Sequence, residues 1–339
     1  MTVNRRQFLK VVTTGGALAA TATGAAPEVK ALQRAVKPRM PEALGLLYDS
    51  SLCIGCQACV AACKQANDTS VDSFKDRKWD AGVRYTPEDL AGWPLNAIEI
   101  YQHGSSVRKD HEDNGFAYFK RSCLHCVDAP CVSCCPVSAM IKDEETGIVR
   151  NDPDRCIGCR YCVFACPFEI PKYEYESAFG RIRKCELCQH RLKEGELPGC
   201  AEACPTGATL FGRVEDLRTE AHRRTALKAG ETYAYPRGDL SGHYGAPIKP
   251  REKVVRAAYR PEVYGETEMG GTQCFYLSAV SFDKLGLPFG SHIPTYSYAS
   301  QTEGMQHFLL ANMIAPLAAL TGLILLARRN VDRHQGEAE

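Results

Sequence analysis

The sequence predicts an α+β fold with two similar cysteine-rich modules, an inserted segment, an extended carboxy-terminal arm and one transmembrane helix. Three observations support this prediction. Most of the 18 cysteines fall into regularly spaced groups, and short apolar runs typical of strands lie between them. Residues 217–305 contain no such group and are rich in Tyr, Pro and Gly. A later 20-residue run, 308–327, carries no charged side chain.

Composition narrows the classes of protein before any motif is considered. The net charge of the 339 residues is +1, which gives no indication of a nucleic-acid partner. Abundant cysteine is compatible with disulfides, zinc sites or iron–sulfur clusters. A chain of this length can build a hydrophobic core without disulfides, so the spacing of the cysteines has to distinguish the three.

The first 31 residues are typical of an export signal. Arg5 and Arg6 precede an apolar run of small residues that ends at Ala26. This arrangement resembles the twin-arginine signal, which is read by a receptor and is associated with proteins that fold around cofactors before export. We predict a signal peptide over residues 1–31, cleaved after Ala31 or Ala26, and no structural disulfides. A basic terminus followed by a flexible segment is the alternative.

Sixteen cysteines form four quartets, each of which begins with C-x2-C. Three of the quartets are followed directly by proline, which turns the chain. In chain order the quartets are Cys53, Cys56, Cys59 and Cys63; Cys123, Cys126, Cys131 and Cys135; Cys156, Cys159, Cys162 and Cys166; and Cys185, Cys188, Cys200 and Cys204.

This spacing matches the ligation of [4Fe–4S] cubes. Each of the four irons needs one thiolate, and a C-x2-C-x2-C loop supplies three, with Gly55 and Gly158 easing the tight backbone. We expect the fourth cysteine to start a helix that leads away and to bind a neighbouring cluster, as in two-cluster ferredoxins. Quartet four alone is also compatible with a zinc ribbon, but the ferredoxin-type runs of quartets one and three argue against zinc and disulfides.

Two cysteines lie outside the quartets. Cys135 has the three-residue spacing and the following proline, so it is the predicted ligand, and Cys134 is predicted to pack beside the cluster. Cys274 lies in an apolar, strand-like run and is predicted to be a buried free thiol. Four basic side chains could place donors or positive charge beside sulfur, although solvated surface positions are the simpler interpretation. They are His125, Arg160, Lys184 and His190.

Repeated strand–loop–helix units predict two ferredoxin-like, two-cluster modules within residues 32–216. Residues 64–122 form an insertion, in which Trp79, Trp93 and the strand-like run 98–100 predict a small separate core. The other strands are predicted at 115–119, 140–142, 147–150 and 208–211. Residues 217–305 are predicted to form an extended arm packed on a partner, with a flexible linker as the alternative.

Residues 306–329 predict the transmembrane helix. The uncharged run spans about 30 Å as a helix, which matches the hydrocarbon thickness of a bilayer. Arg328 and Arg329 follow at once, so the positive-inside rule predicts a cytoplasmic tail at 330–339 and a periplasmic location for the preceding chain. A buried core helix is the alternative. His307, at the outer edge, is an interfacial histidine or a contact to quinone or a haem-bearing partner.

The order of the quartets resembles the four-cluster ferredoxin-type subunits of dimethyl sulfoxide reductase, formate dehydrogenase and hydrogenase-2 complexes. The resemblance covers residues 46–212 and implies that quartet one pairs with quartet four and quartet two with quartet three. It implies four ligand sets: Cys53, Cys56, Cys59 and Cys204; Cys185, Cys188, Cys200 and Cys63; Cys123, Cys126, Cys131 and Cys166; and Cys156, Cys159, Cys162 and Cys135.

Within this family the chain is similar, nearly end to end, to the HybA-type subunits of hydrogenase-2. The similarity rests on the signal, the single carboxy-terminal helix and the runs 47–49, 123–128, 179–180 and 270–273. It implies a non-catalytic subunit with four [4Fe–4S] clusters that carries electrons from the small and large subunits of a periplasmic [NiFe] hydrogenase to quinone through an integral membrane partner. No nucleotide-binding motif or nucleophile–base arrangement is visible in the sequence. The alternatives are an electron-transfer subunit of a molybdenum or tungsten enzyme such as formate dehydrogenase, and an assembly or anchoring protein.

Overall fold

The computed structural model describes residues 33–67, 90, 94–175 and 180–336. The predicted signal peptide, Trp79, Trp93 and Phe179 lie outside these residues. Residues 36–299 form one compact unit, and residues 33–35 with 300–336 belong to a second. Strands and helices occur throughout the first unit, so the predicted α+β class is confirmed.

The elements of the described residues are short apart from the last two helices. The strands are β1 Leu44–Asp49, β2 Ala97–Gln102, β3 Arg108–Lys109, β4 Gly115–Arg121, β5 Met140–Lys142, β6 Val149–Asn151, β7 Lys172–Tyr173, β8 Ile182–Arg183, β9 Thr209–Arg213, β10 Thr232–Asp239, β11 Ile248–Val254 and β12 Cys274–Leu277. The helices are α1 Ala58–Ala66, α2 Pro130–Ser133, α3 Tyr161–Ala165, α4 Gln189–Leu192, α5 Gly199–Glu202, α6 Val214–Thr225 and α7 Tyr298–Gly336.

A five-stranded sheet organises the first unit, with strand order β11–β10–β9–β1–β12. β1 is antiparallel to β9 and parallel to β12, and all six of its residues are buried. Because side chains alternate along a strand, Leu47 packs with α6, whereas Leu46 and Tyr48 pack on the opposite side among the cysteine loops. The sheet therefore separates α6 from the layer that contains the quartets.

Residues 217–305 differ from the predicted extended arm. The predicted boundary at 216 falls inside α6, and β10, β11 and β12 all join the central sheet. The four residues of β12 are buried, and they pair with one edge of β1 that would otherwise expose its backbone groups. The strand-like run predicted around Cys274 is confirmed, as is the burial of that thiol. Partner docking by this segment stays a prediction.

The described part of the insertion also differs from the predicted separate core. β2 pairs antiparallel with β4, and Ala97 and Phe119 pack in the same cluster as Tyr48. The Tyr48 hydroxyl donates a hydrogen bond to the Tyr118 carbonyl oxygen at 3.0 Å, which joins the insertion to β1. The strands predicted at 140–142 and 147–150 are confirmed as β5 and β6, which form an antiparallel hairpin.

Helix α7 is long and apolar enough to cross a membrane over residues 298–329, where it reaches a mean hydropathy of 2.1. The predicted transmembrane segment 306–329 lies within it. None of the described side chains in its most apolar window is buried, and Leu309, Leu317 and Leu325 are each more than half exposed. This exposure favours a membrane anchor over the alternative of a buried core helix.

Candidate metal centre

One small cavity is lined by the first three cysteines of quartet two and the last of quartet three. These are Cys123, Cys126, Cys131 and Cys166. The rest of its wall is almost wholly apolar and includes Leu124, Phe168 and Ile170. This set of four coincides with one of the sets that the resemblance implies.

A second small cavity shows the reciprocal arrangement. It is lined by Cys156, Cys159 and Cys162 of quartet three and by Cys135, the last cysteine of quartet two. Each cavity thus receives three cysteines from one loop and one from the other. The structure brings quartets two and three together in this crossed manner.

Quartets one and four also lie close together. The Cys63 thiol interacts electrostatically with Cys185, Cys188 and Cys200, and the Cys53 thiol interacts with Cys204. Helix α1 packs against α5, and a Cβ at Gly199 would lie only 3.0 Å from the Ala62 carbonyl oxygen. The glycine therefore permits the close helix approach that carries Cys63 to quartet four. Cys56 lies half-buried in the quartet-one loop.

The position of the helices corrects one prediction about the quartets. The fourth cysteine was expected to start a helix, but in quartets two, three and four a short helix contains the third cysteine and ends before the fourth. Cys131 and Cys135 are thus separated by about one helical turn, which advances the chain by about 6 Å. That turn carries the chain from one cavity to the other, because Cys131 lines the first cavity and Cys135 the second.

All four C-x2-C loops share one backbone feature. The residue before the second cysteine has a positive φ in each: Gly55 at 68°, His125 at 49°, Gly158 at 69° and Leu187 at 52°. The predicted role of the two glycines is confirmed, since this region favours glycine. His125 and Leu187 adopt the same conformation although non-glycine residues disfavour it. The loop geometry therefore imposes this conformation despite the backbone strain.

Several N–H groups point at cysteine sulfur. The Ala139 amide donates to Cys135 Sγ at 3.2 Å. The Asn67 side-chain amide donates to Cys63 Sγ at 3.6 Å and to Cys188 Sγ at 3.7 Å, so it joins quartets one and four. Such donors stabilise thiolate and tune cluster potentials. Asn67 was not identified from the sequence, although its position four residues after Cys63 places it on the same helical side.

Burial makes the thiolate form of these cysteines unfavourable unless a positive charge lies beside it. Burial raises the pKa of Cys59 to about 12 and that of Cys185 to about 12, with further contributions from neighbouring cysteines. Bound iron removes this penalty because it is itself the positive charge beside the thiolate. In the described residues no three His, Cys, Asp or Glu side chains are grouped to hold a single ion. Two cavities are each lined by four cysteines, one for each iron of a cube. The donor set therefore fits cubes.

The four basic side chains near the quartets divide into two pairs. Arg160 and His190 are exposed, so the solvated interpretation is confirmed for them. Lys184 and His125 are buried, so that interpretation is wrong for both. His125 Nδ1 accepts a hydrogen bond from the Val149 amide at 3.0 Å, which places the proton on Nε2. Nε2 has no partner within the described chain, and a sulfur acceptor fits this buried donor.

The two remaining cysteines are both outside the cavities. Cys134 is half-buried, its thiol donates to the Cys131 carbonyl oxygen at 3.5 Å, and it lines neither cavity. Cys274 is buried in β12. None of the 18 cysteines, all of which are described, forms a disulfide.

Comparison with known proteins places the chain in a family. A family model described as a 4Fe-4S dicluster domain matches residues 115–214. The hydrogenase-2 operon protein HybA of Escherichia coli O157:H7 is 44% identical over 98% of this chain and 98% of that protein. Protein NrfC of Escherichia coli strain K12 is 33% identical over 74% of this chain and 97% of that protein. The formate dehydrogenase-O iron-sulfur subunit of the same strain is 36% identical over 66% of this chain and 70% of that protein.

These similarities agree with the cysteine geometry. The family model covers quartets two to four, and the match with HybA extends the similarity over quartet one and α7. The chain belongs to the HybA-type family of iron–sulfur electron-transfer proteins.

Proposed function

We propose that the chain holds four [4Fe–4S] clusters and carries electrons between a periplasmic [NiFe] hydrogenase and the membrane quinone pool. The observation that supports this most strongly is the crossed lining of the two cavities, because each combines three cysteines of one quartet with the last cysteine of another. That arrangement is the ligand pattern of two-cluster ferredoxins. The assignment to a hydrogenase rests on the similarity to the hydrogenase-2 operon protein HybA over nearly the whole chain.

The sixteen proposed ligands divide into four sets. Cluster 1 is held by Cys53, Cys56, Cys59 and Cys204; cluster 2 by Cys185, Cys188, Cys200 and Cys63; cluster 3 by Cys123, Cys126, Cys131 and Cys166; and cluster 4 by Cys156, Cys159, Cys162 and Cys135. When bound, each cluster accepts and releases one electron.

The residues around the ligand sets shield or orient the sulfurs. Leu124, Phe168 and Ile170 cover the cysteines of cluster 3 with apolar surface. The Ala139 amide donates to Cys135 Sγ in the set of cluster 4 and stabilises the thiolate form. The chain therefore supplies the ligands and their surroundings, and bond chemistry belongs to a partner subunit.

We propose that α7 anchors the protein at the periplasmic face of the inner membrane. A twin-arginine signal over residues 1–31 would export the folded protein, and Arg328 and Arg329 would stay cytoplasmic. The proposed partners are the hydrogenase small and large subunits, an integral membrane subunit linked to quinone, and the membrane itself, with no nucleic acid. The surface of residues 217–305 is the proposed docking region.

A second function is supported by one specific similarity. The formate dehydrogenase-O iron-sulfur subunit is 36% identical over 230 residues, so the same electron-transfer unit could serve a molybdenum or tungsten enzyme. A non-redox assembly or anchoring role is the third candidate. The three predict different co-purifying metals and different responses to hydrogen.

Gentle anaerobic purification from membranes, with metal analysis of every co-purifying chain, tests the proposal. We expect about sixteen irons per chain, nickel in a partner, and clusters that hydrogen reduces in the intact complex. Molybdopterin in the partner would favour the formate dehydrogenase type. Clusters that resist reduction by hydrogen would favour the assembly role, and an iron content near four (about one cube) would contradict the four-cluster assignment.

A further inference from the structure

One buried cation lies between the ligand sets proposed for clusters 1 and 2. Lys120 on β4 is 1% exposed, although lysine is almost never fully buried without a partner. Its Nζ has no hydrogen-bond partner within the described part of the chain. An orphaned ammonium of this kind is costly unless a negative group faces it.

The groups that face Lys120 are cysteine thiols from both ligand sets. Its main electrostatic neighbours are Cys200, Cys59, Tyr276 and Cys185, and none of these is a carboxylate. Cys59 belongs to the set of cluster 1, and Cys200 and Cys185 belong to that of cluster 2. Lys120 therefore lies beside both ligand sets.

Two other buried or half-buried lysines near the cysteines differ from Lys120. Lys142 Nζ donates to the Cys126 carbonyl oxygen at 3.0 Å and to the Gly147 carbonyl oxygen at 2.7 Å. Lys184 Nζ donates to the Cys185 carbonyl oxygen at 2.9 Å. Both have backbone acceptors and so help to hold the loops. Lys120 Nζ has no such acceptor among the described residues, and its neighbours are the Tyr276 phenol and the cysteine sulfurs.

We propose that Lys120 is a positioning residue whose fixed positive charge raises the reduction potentials of clusters 1 and 2 together. The inference rests on the proposed function, because it requires iron in both sites. A reduced cluster carries one more negative charge than an oxidised one, so a buried cation favours the reduced form. No cysteine proposed for clusters 3 and 4 is among its main electrostatic neighbours, so we expect their potentials to shift less. Lys120 therefore makes the potentials of clusters 1 and 2 higher relative to those of clusters 3 and 4.

Redox titration of the full-length protein in its membrane complex, followed by electron paramagnetic resonance, tests this inference. Lys120→Met removes the charge and keeps an unbranched apolar chain, Lys120→Arg keeps the charge, and the exposed Lys228→Met is the matched control. We expect Lys120→Met to shift two of the four midpoint potentials downward. In Lys120→Arg these two potentials should stay near the wild-type values, and Lys228→Met should leave all four potentials unchanged.

The outcomes separate this inference from the proposed function. Wild-type protein without four reducible clusters contradicts the proposed function itself. If Lys120→Met keeps four intact clusters and their potentials are unchanged, the lysine inference alone is overturned. The same holds if all four potentials shift equally. If Lys120→Met loses iron and Lys120→Arg retains it, the positive charge is needed to hold the clusters, and its proposed role in setting the potentials is overturned. Loss of iron in both variants indicates a packing role and overturns it.

Discussion

Replacing two adjacent cysteines separately provides a stringent test of the ligand sets. Cys135 Sγ accepts a hydrogen bond from the Ala139 amide at 3.2 Å and lines a cavity with Cys156, Cys159 and Cys162. Cys134 is its immediate neighbour, but it lines neither cavity. The substitutions Cys135→Ala and Cys134→Ala remove the same atom one residue apart. Only the first should disturb a cluster.

The expected magnitude follows from the four-cysteine set. Without Cys135, one iron of the cube loses its thiolate, so at least one iron and at most the whole cube is lost. The iron content should fall from about sixteen to between about twelve and fifteen per chain. Cys134→Ala should stay at about sixteen, because the residue contributes packing only.

Iron analysis and electron paramagnetic resonance of the anaerobically purified complex measure this difference. Cys135→Ala should lose or convert one four-iron signal, and Cys134→Ala should keep all four. The reasoning fails if Cys134→Ala loses iron while Cys135→Ala does not. Equal losses in both variants would show that the segment tolerates neither change and would contradict the distinction between the two cysteines.

Three further predictions concern stability, potential and anchoring. Arg224 is buried and pairs with Asp49 at 3.0 Å and Glu220 at 2.8 Å. Arg224→Met should lower the free energy of unfolding by about 3–5 kcal/mol, measured as a fall in the urea midpoint, whereas the exposed Arg223→Met should cost less than about 1 kcal/mol. Asn67→Leu should retain iron but lower the midpoint potential of one cluster, because two sulfurs lose a donor; an unchanged titration would contradict this. Leu320→Arg places a charge within α7 at a cost of about 2.5–3.5 kcal/mol and should release the protein from membranes in cells that lack its partners, whereas Leu320→Phe should remain bound. Membrane retention of the arginine variant would refute the anchor.

Local spacing was sufficient to predict the cysteine loops. The loop of a C-x2-C pair depends on only a few contiguous residues, among them a glycine before the second cysteine. The positive φ of Gly55 and Gly158 agrees with the predicted tight loop. The hairpin of β5 and β6 could be predicted equally well, because its strands and turn are contiguous in the sequence. Strand pairing between distant segments could not be predicted. β12 joins β1 across more than two hundred residues, and a four-residue strand carries too little periodicity to indicate its partner.

The burial of the basic residues could not be predicted from the sequence either. Lys120 lies in an apolar strand and Lys184 directly precedes Cys185, but nothing in the local pattern distinguishes a buried ammonium from a solvated one. Both are buried because elements distant in sequence cover them. The quartets could therefore be assigned from the sequence, whereas the charges that act on them required the fold.

Gln273 explains why the segment after quartet four belongs to the same compact unit as the quartets. Its side-chain amide donates to the carbonyl oxygens of Leu44 at 2.7 Å and Thr146 at 2.9 Å, and its side-chain oxygen accepts from Lys142 at 2.8 Å. Its backbone amide donates to the Leu124 carbonyl oxygen at 3.0 Å, within quartet two. One buried residue therefore links the first strand, the hairpin and a cysteine loop.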